Sequence, residues 1–152
     1  MLRGASLCAW IEYFPETEFV AVDNAAIDLP ILQHNRVTYI QADSIKVQPE
    51  GTFDVIIDDG AHDPITQLET FNNLFPYCTG SYFIEDIWAM DALTKAQSAR
   101  FKVWVDKGRL RGIDHTLDKF NRLLDAVSAH NLIRHDLRSG YNPDSYIFEI
   151  KA

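Results

Sequence analysis

Phe53-Asp54-Val55-Ile56-Ile57-Asp58-Asp59-Gly60-Ala61-His62 decides the fold, and Ile84-Glu85-Asp86 repeats its pattern further on. Each is an apolar run that ends in carboxylates. An apolar run reads as a buried strand, and its polar end as the rim of a parallel sheet. Two such ends put Asp58, Asp59, His62, Glu85 and Asp86 at one edge. In open α/β sheets that edge is where ligands bind.

The pattern extends outward in both directions. Ser6 to Phe14 has helical spacing, with Ser6 as N-cap and Pro15 beyond its end. Glu18 to Val22 reads as a strand ending at Asp23. A short helical or irregular stretch comes next, around Ala25 to His34. Val37 to Ile40 is a strand that leads to Asp43. Pro64 to Leu74 reads as a helix with Asp63 as cap and Pro64 at its first position. Thr79-Gly80 reads as a turn and Ser81 to Ile84 as a strand. Asp91 to Lys107 and Thr116 to His130 read as amphipathic helices. Leu132 to Leu137 and Ser145 to Ile150 read as strands joined through the 139–144 turn as an antiparallel hairpin. Strands alternating with helices, then a hairpin, predict one α/β domain over residues 1–152.

The chain has 152 residues, 47% of them hydrophobic, enough for one domain with its own core. A net charge of −8 argues against a general nucleic-acid binder. Two cysteines, Cys8 and Cys78, form no CxxC pair, so a zinc site or disulfide framework is not expected and a cytoplasmic setting is. Cys8 reads as a small buried residue. No run approaches the roughly 20 apolar residues of a membrane span, and the start does not read as a signal peptide.

Asp59, Glu85 and Asp86 are hard oxygen ligands. Converging carboxylates repel unless protons or a cation intervene, and Mg²⁺, Ca²⁺ or Mn²⁺ suits the set. His62 lies one turn past Asp59 and is placed to take a proton. The same residues also suit plain turns and helix starts, since Asp-Gly and Asp-Pro are common there. Asp23 and Asp43 stand where a ribose diol and an adenine amine are held in nucleotide-binding folds, or else they only cap the next stretch of chain. Trp88 and Met90, just past Asp86, read either as pocket lining or as core. The remaining histidines are scattered.

Gly4-Ala5-Ser6-Leu7, Trp10, Tyr13-Phe14-Pro15 and Val22-Asp23, then Asp54 to His62, Leu74-Phe75-Pro76-Tyr77, Gly80 and Tyr82 to Ile87, together resemble a methyltransferase family. It is the class I S-adenosylmethionine-dependent, metal-dependent O-methyltransferases of macrolide sugars, with cephalosporin-hydroxylase-like proteins as relatives. The resemblance implies a Rossmann-like sheet with a C-terminal antiparallel hairpin. It implies Mg²⁺ or another divalent cation on Asp59, Glu85 and Asp86, and His62 as general base. It implies S-adenosylmethionine near Gly4, Asp23, Asp43 and Asp58, and a small hydroxylated acceptor, sugar-bearing ones included.

The family carries a further strand and a glycine-rich loop ahead of the Gly4 segment, where this sequence has Met1-Leu2-Arg3. The expectation is therefore a sheet lacking its first strand. The strands at 18–22 and 53–57 then close up on each other, or a partner chain fills the gap, and a homo-oligomer is expected. Two rival functions remain open at this point. One is a non-catalytic methyltransferase-fold remnant acting as an oligomeric ligand-binding or interaction module. The other is a hydrolase that uses the metal and His62 without the cofactor.

Overall fold

The computed structural model describes residues 4–108, 113–139 and 145–152. The chain falls into two compact units, Met1–Gln48 and Pro49–Ala152.

The first unit holds helix α1 (Ala5–Tyr13), strand β1 (Phe19–Asp23), a 3-10 turn at Pro30–Gln33 and strand β2 (Val37–Gln41). β1 and β2 pair in parallel, Phe19 opposite Val37 and Asp23 opposite Gln41. Leu7 and Ile11, one turn apart on α1, pack with Ala21 and Leu32 into a small core. Cys8 is exposed, contrary to expectation. It falls one step off the Leu7–Ile11 stripe and so faces away from the core. The N-cap of α1 is Gly4 rather than Ser6, and no side chain caps it. Arg36 closes the other end of the helix. Its guanidinium donates to the carbonyls of Ile11 at 2.7 Å, Phe14 at 2.7 Å and Thr17 at 2.8 Å, satisfying acceptors that a helix leaves free at its C-terminus.

The second unit holds β3 (Phe53–Asp58), α2 (Pro64–Leu74), a 3-10 turn (Phe75–Tyr77), β4 (Cys78–Ile84), α3 (Lys95–Asp106), α4 (Ile113–Ser128), β5 (Asn131–Asp136) and β6 (Tyr146–Lys151). Its sheet runs in the order β3-β4-β6-β5. β3 and β4 are parallel, and β6 is antiparallel to both β4 and β5. The C-terminal hairpin pairing is as the sequence predicts, while most of its turn lies outside the described residues. Strand alternation sends Tyr82 and Ile84 of β4, and Phe148 and Ile150 of β6, to one face. There they meet Phe71 of α2 and Phe120, Leu123 and Val127 of α4 in one buried cluster.

β4 begins at Cys78, so Thr79-Gly80 is strand and not turn. The glycine serves close approach: a Cβ built on Gly80 would collide with the Asp54 carbonyl oxygen of β3. β1 has a single ladder partner, β2, and β3 a single one, β4. Each of these strands keeps an unpaired edge among the described residues, and each carries an exposed valine, Val20 at 41% and Val55 at 53%.

Candidate active site

In the second unit, β3 and β4 end side by side, with Asp58 opposite Ile84. The chain leaves both strands at the same edge, and the Glu85 amide donates to the Asp58 carbonyl at 3.0 Å. After β3, the Asp58 side chain turns the backbone back by accepting from the Gly60 amide at 3.2 Å. Asp63 then caps α2 by accepting from the Ile65 amide at 3.1 Å. Lys119 of α4 reaches the other Asp63 oxygen at 2.7 Å. Burial works against the Asp63 carboxylate, but the Lys119 and backbone hydrogen bonds outweigh it and hold its pKa below the ordinary value. His62 is therefore fixed between a strand-end turn and a pinned helix start.

The ligating atoms of Asp59, His62 and Asp86 lie within 4.8 Å of one another. His62 Nδ1 stands 3.5 Å from Asp86 Oδ2. Glu85 is half-buried beside this trio. Burial, then the negative charges of Asp59 and Asp86, raises its pKa above its ordinary value. The carboxylates of Asp59 and Asp86 at this spacing, with the Glu85 carboxyl crowded by them, suit a hard divalent ion with room for oxygen ligands from elsewhere, and the His62 imidazole stands alongside. Asp58 sits just behind, only 8% exposed, and burial pushes its pKa up to about 6. Its Oδ2 and the wholly buried Tyr82 hydroxyl have no hydrogen-bond partner among the described residues.

In the first unit, Asp23 and Asp43 sit at the C-terminal edge of the parallel pair. Asp23 accepts from the Ala25 amide at 2.9 Å. Asp43 accepts from the Ile45 amide at 3.2 Å and faces Lys46 at 3.6 Å. Gly4 heads α1 with φ 69, and a Cβ there would press on Ile31 and Leu29.

The segment after Asp86 is also tied down. Trp88 packs at 4.9 Å against Trp104, and Met90 packs onto the core. Arg134 grips Asp91 through two hydrogen bonds of 2.8 and 2.7 Å. Gln67 is a residue that sequence reasoning misses. It is polar yet lies on the buried face of α2, 3% exposed, and donates to the Glu85 carbonyl at 3.1 Å. The sequence does hold a signal for it, since it keeps helical phase with Pro64, Thr70 and Phe71.

This architecture, with ligand-type residues at the C-terminal ends of parallel strands, is an α/β fold of the class I methyltransferase type. No protein-family model matches the chain. It is 33% identical over 94 residues to the 8-demethyl-8-(2-methoxy-alpha-L-rhamnosyl)-tetracenomycin-C 3'-O-methyltransferase of Streptomyces olivaceus, a stretch covering 56% of this chain and 24% of that protein. It is 32% identical, again over 94 residues, to the mycinamicin VI 2''-O-methyltransferase of Micromonospora griseorubida, covering 56% of this chain and 23% of that one. Among solved structures it superposes on the MycE methyltransferase of mycinamycin biosynthesis, solved in complex with Mg, SAH and mycinamycin VI. That match has a TM-score of 0.60 at 25% identity and covers 98% of this chain and 40% of that one. The similarity is to O-methyltransferases, as the motifs imply. The match spans about a quarter of the length of the curated relatives.

Proposed function

We propose that the chain is a methyltransferase-like domain over 1–152 that transfers a methyl group from S-adenosylmethionine to a hydroxyl of a small, sugar-bearing molecule, assisted by a divalent cation such as Mg²⁺. The observation that carries this is the convergence of Asp59, His62 and Asp86 within 4.8 Å at two adjacent strand ends. The relatives support it through what they methylate, and MycE through the Mg and SAH it was solved with.

Asp59 and Asp86, with Glu85 beside them, would hold the ion. When bound, the ion supplies positive charge beside the acceptor oxygen, and the cofactor an electrophilic methyl. His62 turns Nδ1 toward Asp86, which leaves Nε2 as the nitrogen that takes the hydroxyl proton. Asp86 steadies the imidazolium that results. Asp23 and Asp43 would hold the ribose and adenine, Gly4 the chain's approach to the cofactor, and Asp58 its methionine end. Holding the reactants in line supplies much of the rate of such a transfer. The reading includes a homo-oligomer, for which the unpaired edges of β1 and β3 speak.

Calorimetric titration with S-adenosylhomocysteine, with and without Mg²⁺, tests it. Micromolar binding is expected, and none at millimolar ligand overturns the reading. With an acceptor in hand, His62→Ala keeps the cofactor affinity and loses turnover by about a hundredfold or more. Retained turnover removes His62 as the base.

A further inference from the structure

The site's strain sits at Asp86. Its φ of 51 makes it the non-glycine residue in the left-handed region among those described. Such a conformation lasts only where the surroundings over-determine it. Three consecutive peptide groups meet at this corner, and each has an anchor. The Glu85 amide donates to Asp58 O at 3.0 Å, and the Ile87 amide to Tyr146 O at 2.8 Å. The peptide between them is held by its carbonyl, which accepts from Nε2 of Gln67 at 3.1 Å. That middle peptide joins Glu85 to Asp86, so its plane sets φ of Asp86 directly. Its anchor comes from a side chain, whereas the bonds to the Asp58 and Tyr146 carbonyls are between backbone groups.

Gln67 is 3% exposed. A carboxamide so deep costs free energy unless it is hydrogen-bonded, and an apolar side chain of the same length would fill the space. The Glu85 carbonyl accounts for an amide at this position.

We propose that Gln67 is a positioning residue for the divalent-cation site: by holding the Glu85 carbonyl, it fixes the peptide plane that turns Asp86 toward His62 and Asp59. The inference rests on the cation-site reading above. Loss of that hydrogen bond lets the 85–86 peptide turn toward negative φ at Asp86, and the carboxylate swings away from His62. Outer partners of this kind set ligand orientation, and their loss costs roughly 10- to 100-fold in metal affinity.

The test uses Mn²⁺ binding to the full chain, read by electron paramagnetic resonance, with amide hydrogen exchange measured on the same proteins. Gln67→Met keeps length and removes the donor. Phe71→Leu loosens the same buried face of α2, where Phe71 packs on Phe75 and Tyr82, and serves as the structural control. Gln67→Met is expected to weaken Mn²⁺ about tenfold and to speed exchange at the Glu85 and Ile87 amides. Phe71→Leu is expected to lower the melting temperature at least as much and to bind Mn²⁺ as the parent does. Parent-like Mn²⁺ affinity in Gln67→Met overturns the proposal, and so does an equal loss in Phe71→Leu. If the parent itself binds no Mn²⁺ at millimolar concentration, the cation-site reading falls separately. The exchange data then decide: faster exchange at Glu85 and Ile87 in Gln67→Met sustains Gln67 as the holder of the turn, and unchanged exchange overturns it.

Discussion

Tyr82 contributes its ring to the core, where it meets Phe71 edge-on at 5.3 Å, while its hydroxyl has no partner among the described residues. Burial and the nearby Asp58 push the hydroxyl's pKa upward, so it stays protonated throughout the useful pH range. A hydrogen-bonded buried hydroxyl usually contributes about 1 kcal/mol, whereas an unpartnered one costs its desolvation. Tyr82→Phe should therefore leave stability within about 0.5 kcal/mol of the parent or raise it. Urea denaturation measures this, and a loss of a full kcal/mol would show that the hydroxyl has a partner after all. Asp58 lies on the same sheet face, two residues past the strand partner of Tyr82. That face is legible in the sequence because carboxylates that end apolar runs stand out against them. Gln67 is harder to find. A polar residue inside a helix reads as surface unless its phase against Pro64 and Phe71 is checked. The contact it makes, to a backbone carbonyl, leaves no mark in the sequence of the segment it holds.

At the level of elements, α2 is the clearest case of local signals agreeing. Asp63 caps it, Pro64 opens it, and the observed bounds match the predicted ones. β4 is the opposite case. Gly80 reads as a turn residue, yet it stands inside the strand, where the Asp54 backbone leaves no space for a side chain. Glycine has two uses, freedom of φ and absence of bulk, and sequence alone does not say which is in force. Gly80→Ala should therefore push β3 and β4 apart and cost about 3 kcal/mol, read as a lowered urea midpoint; a cost below 1 kcal/mol would mean that β3 yields easily. α3 starts later than predicted, at Lys95 rather than Asp91, and α4 earlier, at Ile113 rather than Thr116, because an amphipathic pattern fixes a helix's face more firmly than its ends. The 3-10 turn at Pro30–Gln33 falls in a stretch with no clear period, so the sequence predicts only a short helical or irregular stretch there.

For the molecule as a whole, the two units differ in what supports them. The first rests on a small apolar cluster around Leu7, Ile11, Ala21 and Leu32 and a two-stranded sheet, and the second on a four-stranded sheet with α2 and α4 packed over one face. A two-stranded sheet is marginal by itself. Amide exchange should therefore be faster in β1 and β2 than in β4 and β6, and equal protection would refute the difference. Ion pairs in the second unit contribute to its stability in acid. Hydrogen bonds from Lys151 and then His135 hold the Glu149 pKa below its ordinary value, and one from Arg134 does the same for Asp91. Folded-state values below unfolded ones mean that the unfolded chain takes up more protons in acid. The stabilisation is complete above about pH 4.5 and is lost as pH falls toward the folded-state values. Glu149→Gln should be less stable by about 1 kcal/mol at pH 7 and should lose less than the parent on acidification. Parallel acid limbs for the two would show that Glu149 does not contribute. The strand order has a further consequence for how this chain is made. β6 comes after β5 in the sequence, yet it stands between β4 and β5, with Ser81 opposite Lys151. While the chain emerges from the ribosome, β5 has no neighbour in its sheet until residues 146–151 have been added. The edge of β4 that β6 will cover stays open for as long. The nascent second unit passes through this interval with the future centre of its sheet exposed, a surface that a chaperone would shield.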